Sequence, residues 1–453
     1  MEKFDLDDQY IPIQVSVHML IPVYIHNCLG FRSRLLKSNE WDYASMETCF
    51  YLRYVDTIFF TDKDKTTENP LVSKCLVMEN KSFKAKFITR QHEIVIEKVR
   101  FFCFDTSIGL LDFHLTFSCE NMENVANICA RLRQTENTYK FQQFDIVGNK
   151  YLGVQKTCIG NLAVQLMSPL GKNTLFDHVA PGGIKRAELL ISVIMESNQC
   201  AEVNSLIYRI AEGTDMRSED VIPSDPPYSP LPHIRWAITR KGVCNVGLLT
   251  ENKLNRQFIQ TQWHDIISKR HMIWYVMVLH QKYAIYHYLN DIAQIKSPSD
   301  LKDFQEKITT FNTEYRFTVI ADDTSYQLPY ERTREVKSVE KIFADIDDEI
   351  QRIHTYHDAI RDKNNGIAMT IVSLVCAIST FIDIFSLSLS EIPLHEAMRT
   401  LSAPQILLYG ITICAMTVAL GYLVVKPACK KIFGWFKSLT YEILHLLLQQ
   451  KKK

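Results

Sequence analysis

The chain has 453 residues, 47% of them hydrophobic, with 51 basic and 51 acidic side chains and 12 cysteines. A net charge of zero gives no argument for nucleic-acid binding and excludes an overall basic protein of the kind that holds phosphates by bulk charge. The 12 cysteines include no CxxC pair, which excludes a zinc ribbon and a dithiol motif of that type.

The N-terminal segment MEKFDLDDQY is acidic and has no apolar signal core, so the thiols are expected to be reduced and cytosolic. The first stretch reads as strand-rich. Residues 11–25 alternate in part, 83–89 and 93–104 are β-branched and aromatic, and 111–118 continue in that style. Residues 122–135 predict an amphipathic helix with Val125, Ile128 and Leu132 on one face. Residues 185–196 predict another short helix. The segment SPLGKNT at 168–174 has the look of a phosphate loop but lacks its first glycine. Gly182-Gly183 reads as a turn. Residues 215–232 hold Pro223, Pro226, Pro227, Pro230 and Pro232, a surface loop or a hinge.

From residue 260 onward the character is helical. Residues 262–295 are aromatic and free of glycine and proline. Ser297-Pro298-Ser299-Asp300 is a helix-start signal, and 301–315 follow it as a helix. Residues 315–321 read as a strand or a bend. From about Thr333 the pattern is a heptad seam: Val339, Phe343, Ile346, Ile350, Ile353, His357, Ile360, Asn364, Ile367 and Ile371. It predicts one stalk helix over 333–365 that runs on into an apolar stretch, with an aqueous part roughly 50 Å long. The stalk packs either on its own domain or on other copies; the regularity favours other copies, with His357 and Asn364 setting register. His354, His357 and Asp358 are spaced to touch a metal, but the place of His357 on the seam favours register. Asp345, Asp347, Asp348 and Glu349 form an acidic cluster that reads first as a solvated face.

Residues 366–389 carry one charge, Asp383, and 405–425 carry none. Each has the ~20 residues a helix needs to cross ~30 Å of hydrocarbon. A short loop, 390–404, separates them, so they predict a transmembrane hairpin. Lys426, Lys430, Lys431, Lys437 and the terminal lysines follow the second stretch, and Arg361 and Lys363 precede the first. The loop holds only Arg399 among basic residues, so both ends of the chain are expected on the cytoplasmic side. Within the first stretch Gly366, Thr370, Ser373, Ala377 and Thr380 recur by four and three, and Asp383 follows. Such a stripe lets helices pack closely, or it lines a pore, where Asn364 would join it. A carboxylate inside a span favours a bundle interior or water, although Asp383 also lies near enough to the span end to reach the interface. In a ring of copies it would favour cations.

This layout resembles the CorA family of divalent-cation transporters, from about residue 262 to 431. The family's Gly-Met-Asn mouth signature is absent; Ser386, Leu387 and Ser388 stand near its place after Phe381 and Ile382. The resemblance implies a homopentamer with the first span lining the pore, and carboxylates such as Asp345, Asp348 and Glu349 binding a regulatory divalent cation, Mg²⁺ in the family. A divergent CorA-like branch that accompanies type III CRISPR systems implies a membrane effector of antiviral defence, opened by a nucleotide second messenger. The expected fold class is therefore α+β. A cytosolic α/β sensor domain (1–260) and a helical part (261–332) precede the stalk (333–365). The hairpin (366–389, 390–404, 405–425) and a basic tail (426–453) complete the chain. The expected function is a cation channel of the plasma membrane and not an enzyme, with no direct nucleic-acid partner; a non-conducting scaffold is the alternative.

Overall fold

The computed structural model describes residues 13–60, 69–81, 83, 85–88, 93–136, 138–143, 154–175, 186–196, 203–213, 228–231, 233–292, 295 and 297–390. Within the last helix the side chains of 357, 364, 371, 374–375 and 377–390 lie outside the description. The loop, second apolar stretch and tail expected over 391–453 lie wholly outside it, as does Gly182-Gly183.

The first part alternates strands and short helices: β1 (Ile13–Ile25), α1 (Cys28–Lys37), β2 (Trp41–Tyr43), α2 (Arg53–Asp56), β3 (Phe59–Phe60), β4 (Cys75–Asn80) and β5 (Ala85–Ile88). Then come β6 (Glu93–Phe104), β7 (Ile108–Cys119), α3 (Met122–Leu132), β8 (Thr138–Gln143), β9 (Val154–Cys158), α4 (Ile159–Met167) and β10 (Asn173–Leu175). β11 (Glu188–Glu196), α5 (Val203–Glu212), β12 (Tyr228–Leu231), β13 (Ile234–Ile238) and β14 (Gly242–Leu249) complete it. Five helices follow: α6 (Lys253–Ile266), α7 (Met272–Ile292), α8 (Pro298–Tyr315), α9 (Thr324–Val336) and α10 (Val339–Ser390).

Among the described residues these strands form one mixed sheet, in the main order β12-β13-β14-β11-β1-β7-β6-β5-β8-β9. The chain is thus α+β. β1 is central, antiparallel to both β7 and β11, while β11 runs parallel to β14. Pro22 is tolerated inside β1 because β11 stops pairing at Leu20 and β10 begins at Val23. One face of β1 (Val15, Val17, Met19, Ile21, Val23) joins the main core with Phe31 and Leu35 of α1, Val125 of α3, Leu162 of α4 and Ile207 of α5. The opposite face meets α6 and α7: Trp263 of α6 bonds Asn245 of β14, and Tyr275 of α7 bonds the Leu189 carbonyl of β11.

The expected helix at 185–196 is instead strand β11. Its run of Leu, Ile and Val is buried along nearly its whole length because both faces of a central strand are covered. The proline-rich segment ends in a strand, β12, and not wholly in a loop. At 168–174 a 3-10 turn is followed by Gly171 at φ 141° and then a strand. A phosphate loop runs from strand to helix, so that reading is excluded. Residues 315–321 form a bend. The start at Ser297 is borne out as a capping box with Asp300.

Two compact units divide the chain, 1–350 and 351–453, with the boundary inside α10. The parts expected as 1–260 and 261–332 sit in the same unit. The stalk helix begins at Val339, not Thr333, because Ser338 adopts φ 56° and breaks the chain of helical bonds. Thr333 belongs to α9. From Val339 the helix continues without a break for 52 residues. Among the described residues no helix is long and apolar enough to cross a membrane.

The break before α10 is held from the sheet side. Lys337 is fully buried and donates to Glu188 of β11 at 2.7 Å, and Lys282 of α7 donates to the same carboxylate at 2.6 Å. Tyr283 adds a third bond to it at 3.0 Å. Burial alone would raise the pKa of Glu188, but the two ammonium groups outweigh it and hold the carboxylate ionised. Burial pushes Lys337 down to about 8, against the pull of Glu188.

Candidate functional site

The sheet face beneath α6 and α7 is largely apolar, and besides Glu188 at the start of β11 it carries a polar stripe crossing five strands. The stripe arises from alternation: Ser16 and His18 on β1, Asp112 and His114 on β7, Arg100 on β6, Ser192 on β11 and Asn245 on β14. Register then aligns them. Asn245 opposes Ser192, Ser192 opposes Ser16, His18 opposes His114, and Asp112 opposes Arg100.

Arg100 grips Asp112 through Nε at 3.1 Å and Nη2 at 2.8 Å, and both are buried. Burial would raise the Asp112 pKa, but His18 and Arg100 lower it overall. His18 Nδ1 lies 3.2 Å from both carboxylate oxygens, so it carries the proton and donates. Its Nε2 is then a buried lone pair without a partner. The His18 and His114 rings stack at 4.3 Å. His114 Nε2 meets Ser16 Oγ at 2.8 Å and its Nδ1 is unpartnered. Ser192 donates to Asn245 at 2.9 Å, so its oxygen accepts from Nδ1 of His264 at 3.0 Å. That leaves His264 Nε2 bare as well. Burial lowers the pKa of all three histidines, that of His264 to about 4.

A π-turn, Ile267–His271, joins α6 to α7 directly above the stripe. A widened turn frees carbonyls from the helix ladder, and here each finds a partner. Ser268 accepts from Arg100 at 2.9 Å, Lys269 from the Glu47 N–H at 3.3 Å, and Arg270 from the Tyr51 hydroxyl at 2.7 Å.

No family model, no curated protein and no solved structure matches this chain.

The chemistry of the stripe therefore has to be read from its own atoms. Ser16 bonds one imidazole and Asp112 orients the other, so the relay of a Ser-His-Asp triad is split between two rings. Among the described residues no group of three His, Cys, Asp or Glu side chains is placed to hold a metal ion. What remains is a buried set of bare imidazole nitrogens, able to take up protons or to accept from an N–H or O–H group.

The residues singled out from sequence lie elsewhere, on α10. Val339, Phe343 and Ile346 are buried in unit 1–350. Phe343 stacks on Phe311 of α8 at 5.9 Å, and the Arg316 guanidinium lies 4.3 Å from its ring. The first part of the seam is thus covered by its own chain. Ile350 and Ile353 are half-buried, and Ile360 is 40% exposed. The side chains of His357 and Asn364 lie outside the description. Asp345 and Asp348 are exposed and Glu349 is half-buried, so within one copy they form no ion site. Asp347 lies 3.9 Å from Arg316. Gly366, Thr370 and Ser373 are exposed on α10. Ala377, Thr380, Asp383, Ser386, Leu387 and Ser388 have helical backbone, and their side chains lie outside the description.

Proposed function

We propose that the chain is a subunit of a homo-oligomeric, CorA-like cation channel. Residues 366–389 and 405–425 are its membrane spans, and the domain that ends in α10 is its sensing module. The observation that carries this reading is the exposed apolar surface late in α10: Ile367 at 43%, Met369 at 71% and Val372 at 58%. Large apolar groups clustered on a helix need cover from lipid or protein.

In this reading Asn364, Gly366, Thr370, Ser373, Ala377, Thr380 and Asp383 border the conduit, and Ser386, Leu387 and Ser388 stand at its outer mouth. Both ends of the chain face the cytoplasm, and five copies follow from the family resemblance. The test is ion flux from liposomes holding the purified full chain. Cation flux is the expected result. A protein that is monomeric in detergent and carries no flux is a membrane-anchored scaffold instead. The nucleotide-gated defence effector uses the same pore, and a titration of the same liposomes with cyclic and adenylated nucleotides separates it from an ungated channel.

A further inference from the structure

One end of the sheet gathers more positive charge than its own carboxylates neutralise. The start of β11, the ends of α3 and α5, and the turn between β13 and β14 meet there. The carbonyl of Arg133, which caps α3, accepts from the Ala187 N–H at 2.9 Å, and Glu188 is the next residue. The carbonyl of Ala211, near the end of α5, accepts from the Thr239 hydroxyl at 3.1 Å. Arg240, in the same turn as Thr239, accepts from the Lys337 ammonium at 3.2 Å through its carbonyl. Gly213 follows α5 at φ 61°, and a Cβ on it would lie 3.5 Å from Cδ of Arg133. The stem of Arg133 is thus packed between the end of α5 and the start of β11.

Lys282 and Lys337 share a single carboxylate, Glu188. Glu212, the other carboxylate that Arg133 feels, is paired with Lys241 at 2.9 Å. The Arg133 guanidinium has no ion-pair or hydrogen-bond partner among the described residues, and its Nε is shut off from water. Arg186 adds a further positive charge beside it. Tyr275 and Tyr283 bring no counter-charge, because burial and Glu188 push both hydroxyls well above the ordinary tyrosine range. Arg133, Lys282 and Lys337 therefore set three cations against the one carboxylate that Lys241 leaves free, a surplus of two charges. Buried charge without a counter-charge is costly. The strain shows in both cations: burial lowers Arg133 despite Glu188, and Lys282 and Arg133 both weaken the hold of Lys337 on its proton.

We propose that this end of the sheet binds a free tetrahedral dianion of the phosphate or sulfate kind, gripped by Arg133. The guanidinium is half-buried, and its donors form a planar fork that matches two oxygens of such an ion. Lys282 and Lys337 stay on Glu188 and act on the ion through their field, which is weakly screened in the interior. A dianion matches a surplus of two charges, where a carboxylate would leave one unopposed. The site stands apart from the channel reading and does not depend on it.

The test uses phenylglyoxal, which condenses with free guanidinium groups. The purified full chain is treated in sodium chloride and in millimolar sodium sulfate at equal ionic strength, and the modified arginines are mapped by peptide mass spectrometry. At pH 7.5 sulfate should slow modification of Arg133 about fivefold and leave the exposed Arg332 unchanged. Inorganic phosphate should protect Arg133 in the same way. Sulfate protection should fade by pH 9, because sulfate keeps its charge while Lys337 gives up its proton near 8. In Arg133→Met, sulfate should no longer raise the thermal midpoint over chloride as it does in the unaltered chain. Equal Arg133 rates in chloride and sulfate overturn the proposal. So does an Arg133 that resists the reagent in both salts, the result expected if acidic residues of the chain itself, such as Asp215, Glu219 and Asp220, already hold the guanidinium.

Discussion

Lys337, in the two-residue break between α9 and α10, ends on the carboxylate of Glu188 in the middle of the sheet, 2.7 Å away and out of contact with water. Local geometry at this break is therefore tied to the sheet by charge as well as by packing. Glu188→Gln leaves two buried ammonium groups without their counter-charge and should cost about 3–5 kcal/mol. Lys337→Met leaves Glu188 paired with Lys282 and should cost less. Urea midpoints of the two variants check this, and equal losses would show that the pair carries no special weight.

Acid should loosen the domain before its carboxylates titrate. Burial holds His264 at about 4 and His271 and His280 at about 3, all below the ordinary 6.5. Above pH 6.5 neither folded nor unfolded chain protonates these rings, and their contribution is complete. As pH falls below 6.5 the unfolded chain takes protons that the folded one refuses, so stability drops. At pH 5 the loss is about 2 kcal/mol per histidine. Denaturation midpoints between pH 7.5 and 5 measure it. His280→Gln, which keeps a polar group near Thr106, should flatten the slope. A wild-type midpoint constant over that range is incompatible with three buried neutral rings.

Disulfide trapping tests the proposed homo-oligomer. If copies pack along the seam beyond Ile350, then with Cys376 changed to serine, Ile353→Cys and Ile360→Cys should cross-link between subunits in mild oxidant. Phe343→Cys should not, because Phe311 and Arg316 of the same chain cover that position. Dimers at Phe343 and none at Ile360 would reverse the division of the seam.

Asp383→Asn tests the conduit. If copies of this acid ring the pore, the potassium-over-chloride permeability ratio should fall severalfold while the protein still assembles. An unchanged ratio removes the residue from the ion path.

Much of the scaffold was legible in the sequence. The alternation of 11–25 and the β-branched run of 93–104 mark β1 and β6 almost to their ends. Ser297 and Asp300 announce α8 because a capping box is local chemistry. The period of the seam gives the long helix but not its neighbours; that Phe311 covers Phe343 depends on how α8 folds back. β11 is not legible locally, because a continuous apolar run has neither period and only its place between β1 and β14 makes it a strand. The polar stripe is the least legible feature. His18 and Asp112 stand 94 residues apart and meet through strand register. The one local sign was a polar residue at every second position in two otherwise apolar strands.

The outermost strand, β12, has four residues, contains Pro230 and pairs irregularly between Tyr228 and Leu231. Proline withholds a donor, and the broken pairing tilts the remaining groups, so this border is a poor template for a foreign strand. At high concentration, where fibrils form by strand zippering, the ragged margin of β12 works against that route.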